Sequence, residues 1–182
     1  MSRLPPIVYE ELSAKQKEVY DKIAASEGGV VGPYAIWLGM PDLCEAFKNL
    51  SDFLLNKSSL SQPFLQAVVL MIARKFNTPW LFGHHAKLAG KAGLSQKVIE
   101  DINHCRPLTF SDSKEQAVYE AVVVLLNREE IPDAIFDKCI ELVGLDPMTE
   151  ICNIMGQYMM YATVLNAFDL PPEEGAALLA AV

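Results

Sequence analysis

Three histidines and four cysteines are the side chains of this sequence best suited to chemistry near neutral pH. An imidazole gives and takes protons there, whereas a thiol acts only once it is a thiolate. His84 and His85 are neighbours, so on a helix they point about 100° apart and cannot both reach one ion. With only His104 in addition, a histidine metal site is not expected. His104 lies near a helix end, where a contact with the helix dipole accounts for it. Cys44, Cys105, Cys139 and Cys152 form no CxxC pair and read as reduced, mostly buried small apolar residues. No GxGxxG, GxxxxGK[ST] or GxSxG stretch occurs, so neither a nucleotide nor a flavin is implied, and no cofactor is expected. His85 sits in an apolar helix, where it is either a hydrogen-bonded core residue or an acid/base group.

The elements that carry these residues are all helical. Ser13 with Gln16 makes a capping box for a first helix, ended near residue 25 by Gly28-Gly29. An apolar connector with Gly32-Pro33 follows, and Pro41 opens a helix to about residue 55. Ser59 and Ser61 offer caps for a third, whose apolar positions Leu65, Val68, Val69, Ile72 and Ala73 recur at helical spacing. Asn77 and Pro79 punctuate it. The histidine helix runs from 79 to 92 and stops at Gly93. Ser95 caps a short helix ending near Cys105, and Ser113 with Gln116 caps the next, to about residue 127. Pro132 and Gly144 bound another. The last long helix follows Asp146-Pro147 and reaches about Phe168, before Pro171-Pro172 and a short Ala-rich helix. No segment alternates with period two, so the fold class is all-α, a helical bundle forming one domain over residues 1–182. The last long helix is apolar around nearly its whole circumference, which asks for burial on every side, for example in a subunit interface.

Composition limits the partners. The charge of -8 repels phosphate backbones, so no nucleic acid is expected. No apolar run approaches the roughly 20 residues of a membrane span, and the start Met1-Ser2-Arg3-Leu4-Pro5-Pro6 is no signal peptide. A soluble, cytoplasmic protein with no membrane partner is the resulting expectation.

The tail of the histidine helix, His85-Ala86-Lys87-Leu88-Ala89-Gly90-Lys91-Ala92-Gly93-Leu94-Ser95, resembles the His-x-x-x-Ala-x-x-Ala-Gly-Leu-Ser ending of the carboxymuconolactone decarboxylase-like family, within the alkyl hydroperoxidase D-like superfamily. Ala73-Arg74 before it, Gly32-Pro33-Tyr34 with Leu38 and Pro41, and Gly156, Tyr158 and Leu165-Asn166-Ala167-Phe168 are similar to that family as well. The departures matter as much. The peroxidase branch has cysteines seven and four residues before the histidine; here those positions are Thr78 and Leu81, so disulfide-based peroxide reduction is not expected. The decarboxylase-like branch often has Glu-Trp where this chain has Leu81-Phe82, and an early Glu in the preceding helix aligns with Gln66.

The resemblance implies a cofactor-independent lyase or isomerase. Its reaction would be decarboxylation, double-bond migration or ring opening or closure on a small cyclic carboxylated or enolic substrate, as in a cyclase or isomerase of specialised biosynthesis. His85 would be the general acid/base. Thr78, Leu81 and His85 share one helical face, and an antiparallel preceding helix would bring Gln66 to it. Tyr34, Trp37 and Phe82 would make the pocket aromatic, and Tyr158 would lend its phenol to a substrate oxygen. A homo-oligomer, trimer or hexamer, is implied too. The competing reading is a non-catalytic oligomeric binding or scaffold protein with a decayed site. A cavity open to His85 speaks for catalysis and a filled core for decay.

Overall fold

A computed structural model of the chain describes residues 2–127 and 129–181. Met1, at the head of the stretch read as no signal peptide, and Val182, at the end of the Ala-rich tail, lie outside them. After a short 3-10 turn at Tyr9–Glu11 come helices α1 (Ala14–Glu27), α2 (Pro33–Trp37), α3 (Pro41–Asn56), α4 (Gln62–Lys75) and α5 (Pro79–Ala92). Then follow α6 (Gln96–Asn103), α7 (Ser113–Leu126), α8 (Asp133–Val143) and α9 (Leu145–Ala167). No strand occurs among the described residues, and no helix is long and apolar enough to cross a membrane.

Local chemistry sets most boundaries. Ser13 accepts from the Gln16 amide and Gln16 reaches back to the Ser13 amide, closing the capping box of α1. Gly28 and Gly93 end α1 and α5 in the left-handed conformation that costs glycine least. Ser61 and Ser95 cap α4 and α6. The cap of α7, however, is Asp112 and not Ser113: its carboxylate accepts from the amides of Lys114 and Glu115. A charged acceptor at a helix start outcompetes a hydroxyl. Gln116 is thereby freed to accept from the Phe110 amide.

The helix buried on nearly every side is α4. From Phe64 to Arg74 only Met71 escapes full burial. It packs against α5, α6, α7 and α9, and most extensively against α5. Fully burying a Leu, Ile or Val there contributes roughly 1.5–3 kcal/mol. The sequence pattern pointed instead to α9. That helix turns Ile151, Ile154, Met155, Tyr158, Tyr161 and Leu165 inward but leaves Met160 and Phe168 exposed. The Ala-rich tail is not helical: residues 170–181 run mostly without regular structure. Pro171-Pro172 removes two backbone donors there, and the segment lies along α5 and α6.

The turn from α4 to α5 fixes the pairing that matters. Asn77 takes φ 49, a left-handed value that asparagine tolerates, and the Thr78 amide donates to the Ala73 carbonyl at 2.9 Å. The chain doubles back within three residues, so α5 returns antiparallel along α4. Gly32, at φ 59, admits the Trp80 ring: a Cβ built there would stand 2.2 Å from the indole.

Gly32→Ala therefore combines backbone strain with overpacking and is expected to destabilise by about 1–3 kcal/mol. Gly90→Ala, on the open face of α5, has room and a helical backbone and should stabilise by about 0.5–1 kcal/mol. Thermal unfolding followed by circular dichroism distinguishes the two, at roughly 2–4 °C per kcal/mol for a chain of this size.

Candidate active site

His85 projects from the middle of α5 toward α4 and α9, and only 6% of the residue is exposed. Its Nδ1 lies 2.8 Å from Oε1 of Gln66, in the second turn of α4. An amide oxygen only accepts, so Nδ1 carries the proton and donates it. Nε2 is then left with a bare lone pair and, among the described residues, no hydrogen-bond partner. The ring meets Tyr158 edge-on, with centroids 5.1 Å apart at 87°. Burial holds the imidazole pKa well below 6.5, and the neighbouring His84 pushes it the same way. The group is thus a neutral base with one tautomer selected by its orienting amide.

A cavity of about 390 Å³ opens beside this ring. His85, Leu81, His84 and Trp80 of α5 form one wall, and Tyr158 and Tyr161 of α9 another. Tyr34 of α2 and Lys48, Ser51 and Asp52 of α3 close it, with Glu27 at the end of α1. The three phenols stay protonated. Burial raises the pKa of Tyr34 to about 12 and those of Tyr158 and Tyr161 further. Tyr161 accepts from Gln157 at 2.9 Å and shares a hydrogen bond with Ser51 at 3.1 Å. The Tyr158 hydroxyl has no partner among the described residues, which leaves it free for a ligand.

Lys48 is the feature of this cavity that sequence reasoning missed. Its ammonium is buried, 3.1 Å from Glu27 and paired with Asp52. Burial alone would lower its pKa, but the Asp52 and Glu27 carboxylates outweigh that and hold it above the ordinary lysine value. In the sequence, Lys48 and Asp52 look like any solvated i,i+4 helix pair. Only the approach of α1 to α3 reveals that the lysine is inside.

His84, although it points away from His85 around the helix, also lines the cavity. Its ring stacks on Trp80 at 4.8 Å and 12°, and its Nδ1 lies 2.9 Å from Oε1 of Glu173. Glu173 belongs to the segment after α9 and also accepts from Lys87 at 3.0 Å. Burial would raise its pKa, yet His84 and Lys87 together lower it. Two bonds to Asn103 hold the segment, and Gly83 gives it room: a Cβ there would meet Ala176 at 2.7 Å. Glu173 was invisible in the sequence because Pro-Pro-Glu-Glu reads as a polar tail.

Of the other residues singled out in the sequence, Gln66 stands behind His85 and orients it without lining the cavity. Thr78, Phe82 and Trp37 are buried elsewhere. Thr78 precedes α5 with its hydroxyl unpartnered among the described residues. Phe82 is sealed in the core, and Trp37 stacks on Phe47 at 4.3 Å behind Tyr161. No three His, Cys, Asp or Glu side chains converge on a metal-sized site among the described residues.

The depressed pKa of His85 links stability to pH. An unfolded chain titrates this imidazole near 6.5, whereas the fold resists protonating it. Stability from this group is complete above about pH 6.5 and falls as the pH drops below it, at up to about 1.4 kcal/mol per pH unit. Denaturant titrations at about pH 7.5 and 5.5, where carboxylates stay mostly ionised, should show this loss. His85→Gln should remove most of it.

No family model matches the sequence, and no curated protein matches it. Solved structures do match. An uncharacterized peroxidase-related protein from Silicibacter sp. TM1040 aligns with a TM-score of 0.76 and 15% identity, over 94% of this chain and 90% of its own. The alkylhydroperoxidase AhpD core of an uncharacterized peroxidase-related protein from Ralstonia eutropha JMP134 aligns at 0.77 and 16% identity, over 95% and 93%. Over this span the chain shares the all-α fold of these alkylhydroperoxidase AhpD-like structures.

Proposed function

We propose that the chain is a cofactor-independent enzyme that moves a proton on a small cyclic carboxylated or enolic substrate, with decarboxylation, double-bond migration or ring opening or closure as the outcome. The observation that carries this reading is the unprotonated Nε2 of His85 beside a 390 Å³ cavity. A cavity of this size suits a single ring with its substituents. His85 Nε2 takes the proton from a carbon next to a carbonyl, and the Tyr158 hydroxyl donates to the oxygen on which charge develops. The imidazolium so formed is disfavoured by burial. It therefore returns its proton readily, to the same carbon or to another position of the delocalised intermediate, and the second choice migrates the double bond.

The electrostatics narrow the substrate. Lys48 is already shared by Glu27 and Asp52, which leaves that wall with one negative charge in excess. An uncharged or singly charged ring is favoured over a dianion. Both aligned neighbours are named peroxidase-related, but Thr78 and Leu81 stand where the thiol pair of that chemistry would be. The buried Cys44 thiol is pushed up to about 11 and Cys139 is raised as well. Neither is poised as a nucleophile. The same reading takes the protein as a homo-oligomer, with a trimer or hexamer implied by the family resemblance alone; Met40 and Phe53, exposed on a single chain, are apolar surface that an interface would cover.

Proton exchange tests the reading directly. Candidate lactones and β-keto acids in D2O should exchange or turn over with the protein, and His85→Ala should lose about 10²–10⁴-fold of that rate. Undiminished turnover in His85→Ala would rule out the acid/base role of His85, and no turnover by the unaltered protein would leave the cavity as a binding site only. Gln66→Glu places a carboxylate on Nδ1 and raises the imidazole pKa. The acid limb of kcat/KM should then move to higher pH, while the fold, read by circular dichroism, stays unchanged.

A further inference from the structure

A second cavity, of about 350 Å³, lies between the C-terminal ends of α4, α6 and α7 and shares no lining residue with the first. At its inner wall is Arg74, in the last turn of α4, with only 7% of the residue exposed. Its Nε donates to the Cys105 sulfur at 3.4 Å. Its Nη1 is buried with no partner, and no carboxylate pairs with the guanidinium among the described residues. A buried charge without a counter-ion is costly and calls for an anion.

The surroundings sharpen this. Lys75 and Arg106 stand at the same cavity, while none of the chain's Asp or Glu residues lines it. Lys75 donates to the neutral Asn127 amide oxygen at 2.9 Å and keeps its charge uncompensated, whereas Arg106 is ion-paired with Asp101 at 3.1 Å. Three helix C-termini converge here, each carrying about half a negative charge. With Asp101 on Arg106 they explain the basic residues at the rim, but they do not explain why Arg74 is buried without a carboxylate. The remaining wall is apolar, with Met71, Ile102, Leu108 and Leu126. Helix ends of this polarity offer carbonyls rather than amides, which disfavours a phosphate dianion. An unpaired buried guanidinium in the wall of a largely apolar hollow fits a planar carboxylate with a hydrocarbon body.

We infer that this cavity binds a small apolar monocarboxylate, held by Arg74 and seconded by Lys75 and Arg106. Benzoate, its uncharged counterpart benzamide and inorganic phosphate are the probes, titrated calorimetrically into the whole chain carrying Cys152→Ser. Benzoate should bind saturably, raise the thermal midpoint and slow iodoacetamide labelling of Cys105, followed by peptide mass spectrometry. Benzamide and phosphate should do none of these. Arg74→Met should weaken benzoate at least tenfold without lowering the midpoint of the unliganded protein, since it removes an unpaired buried cation; a purely structural arginine would lower it. Should Arg74→Met fail to fold, the exposed double variant Lys75→Gln/Arg106→Gln must still weaken benzoate severalfold. The proposal is overturned if benzamide or phosphate binds as well as benzoate, if these variants bind it normally, or if Cys105 resists labelling before ligand is added because a second copy seals the cavity.

Discussion

The hydrogen bond from His85 to Gln66 ties the two most closely packed helices of the bundle, and the candidate chemistry follows from it. It joins residues 19 apart in sequence and is buried. In that environment a lone amide or imidazole would be costly, so each group needs the other. The bond also selects the tautomer. Because the amide oxygen faces Nδ1, the lone pair is left on Nε2, beside the cavity. A carboxylate in place of Gln66 would make a stronger base and a more stable imidazolium. The neutral amide instead keeps the imidazole uncharged and the proton loosely held.

Around this pair the bundle separates charge in a way its net value hides. A chain of formal charge -8 buries two cations, Lys48 and Arg74, at two different cavities. Lys48 has two carboxylates and is structurally satisfied. Arg74 has a thiol and no acid. The difference is local: α1 delivers Glu27 to Lys48, whereas no carboxylate among the described residues reaches Arg74. One buried cation therefore shapes a wall, and the other has a valence left over.

The alignments with two solved structures at 15% and 16% identity fit a fold held by pattern more than by particular residues. α4 illustrates this. Its run from Phe64 to Arg74 needs apolar volume on every side and tolerates exchange of one apolar residue for another. What cannot be exchanged so freely are the turns, such as left-handed Asn77, and close approaches such as Gly32 on Trp80.

The order of helices was legible in the sequence because caps, glycines and prolines act within four residues of where they stand. Ser13, Gly28, Ser61, Pro79, Gly93 and Ser95 mark boundaries that the structure keeps. The pairing of α4 with α5 was legible too, since a turn as short as Phe76–Thr78 forces two antiparallel helices together. Burial was less so. α4 and α9 are both rich in apolar residues, and only the surrounding helices decide which is enclosed. The cavity was least legible of all: Lys48, Glu27, Asp52 and Glu173 come from three separate segments, and each looks like a solvated charge by itself. Thus local rules written in the chain determined the helices and the helical pair that carries His85. The tertiary structure alone decided which charges lie inside and where empty space remains, because both depend on how distant helices fail to fill the volume between them.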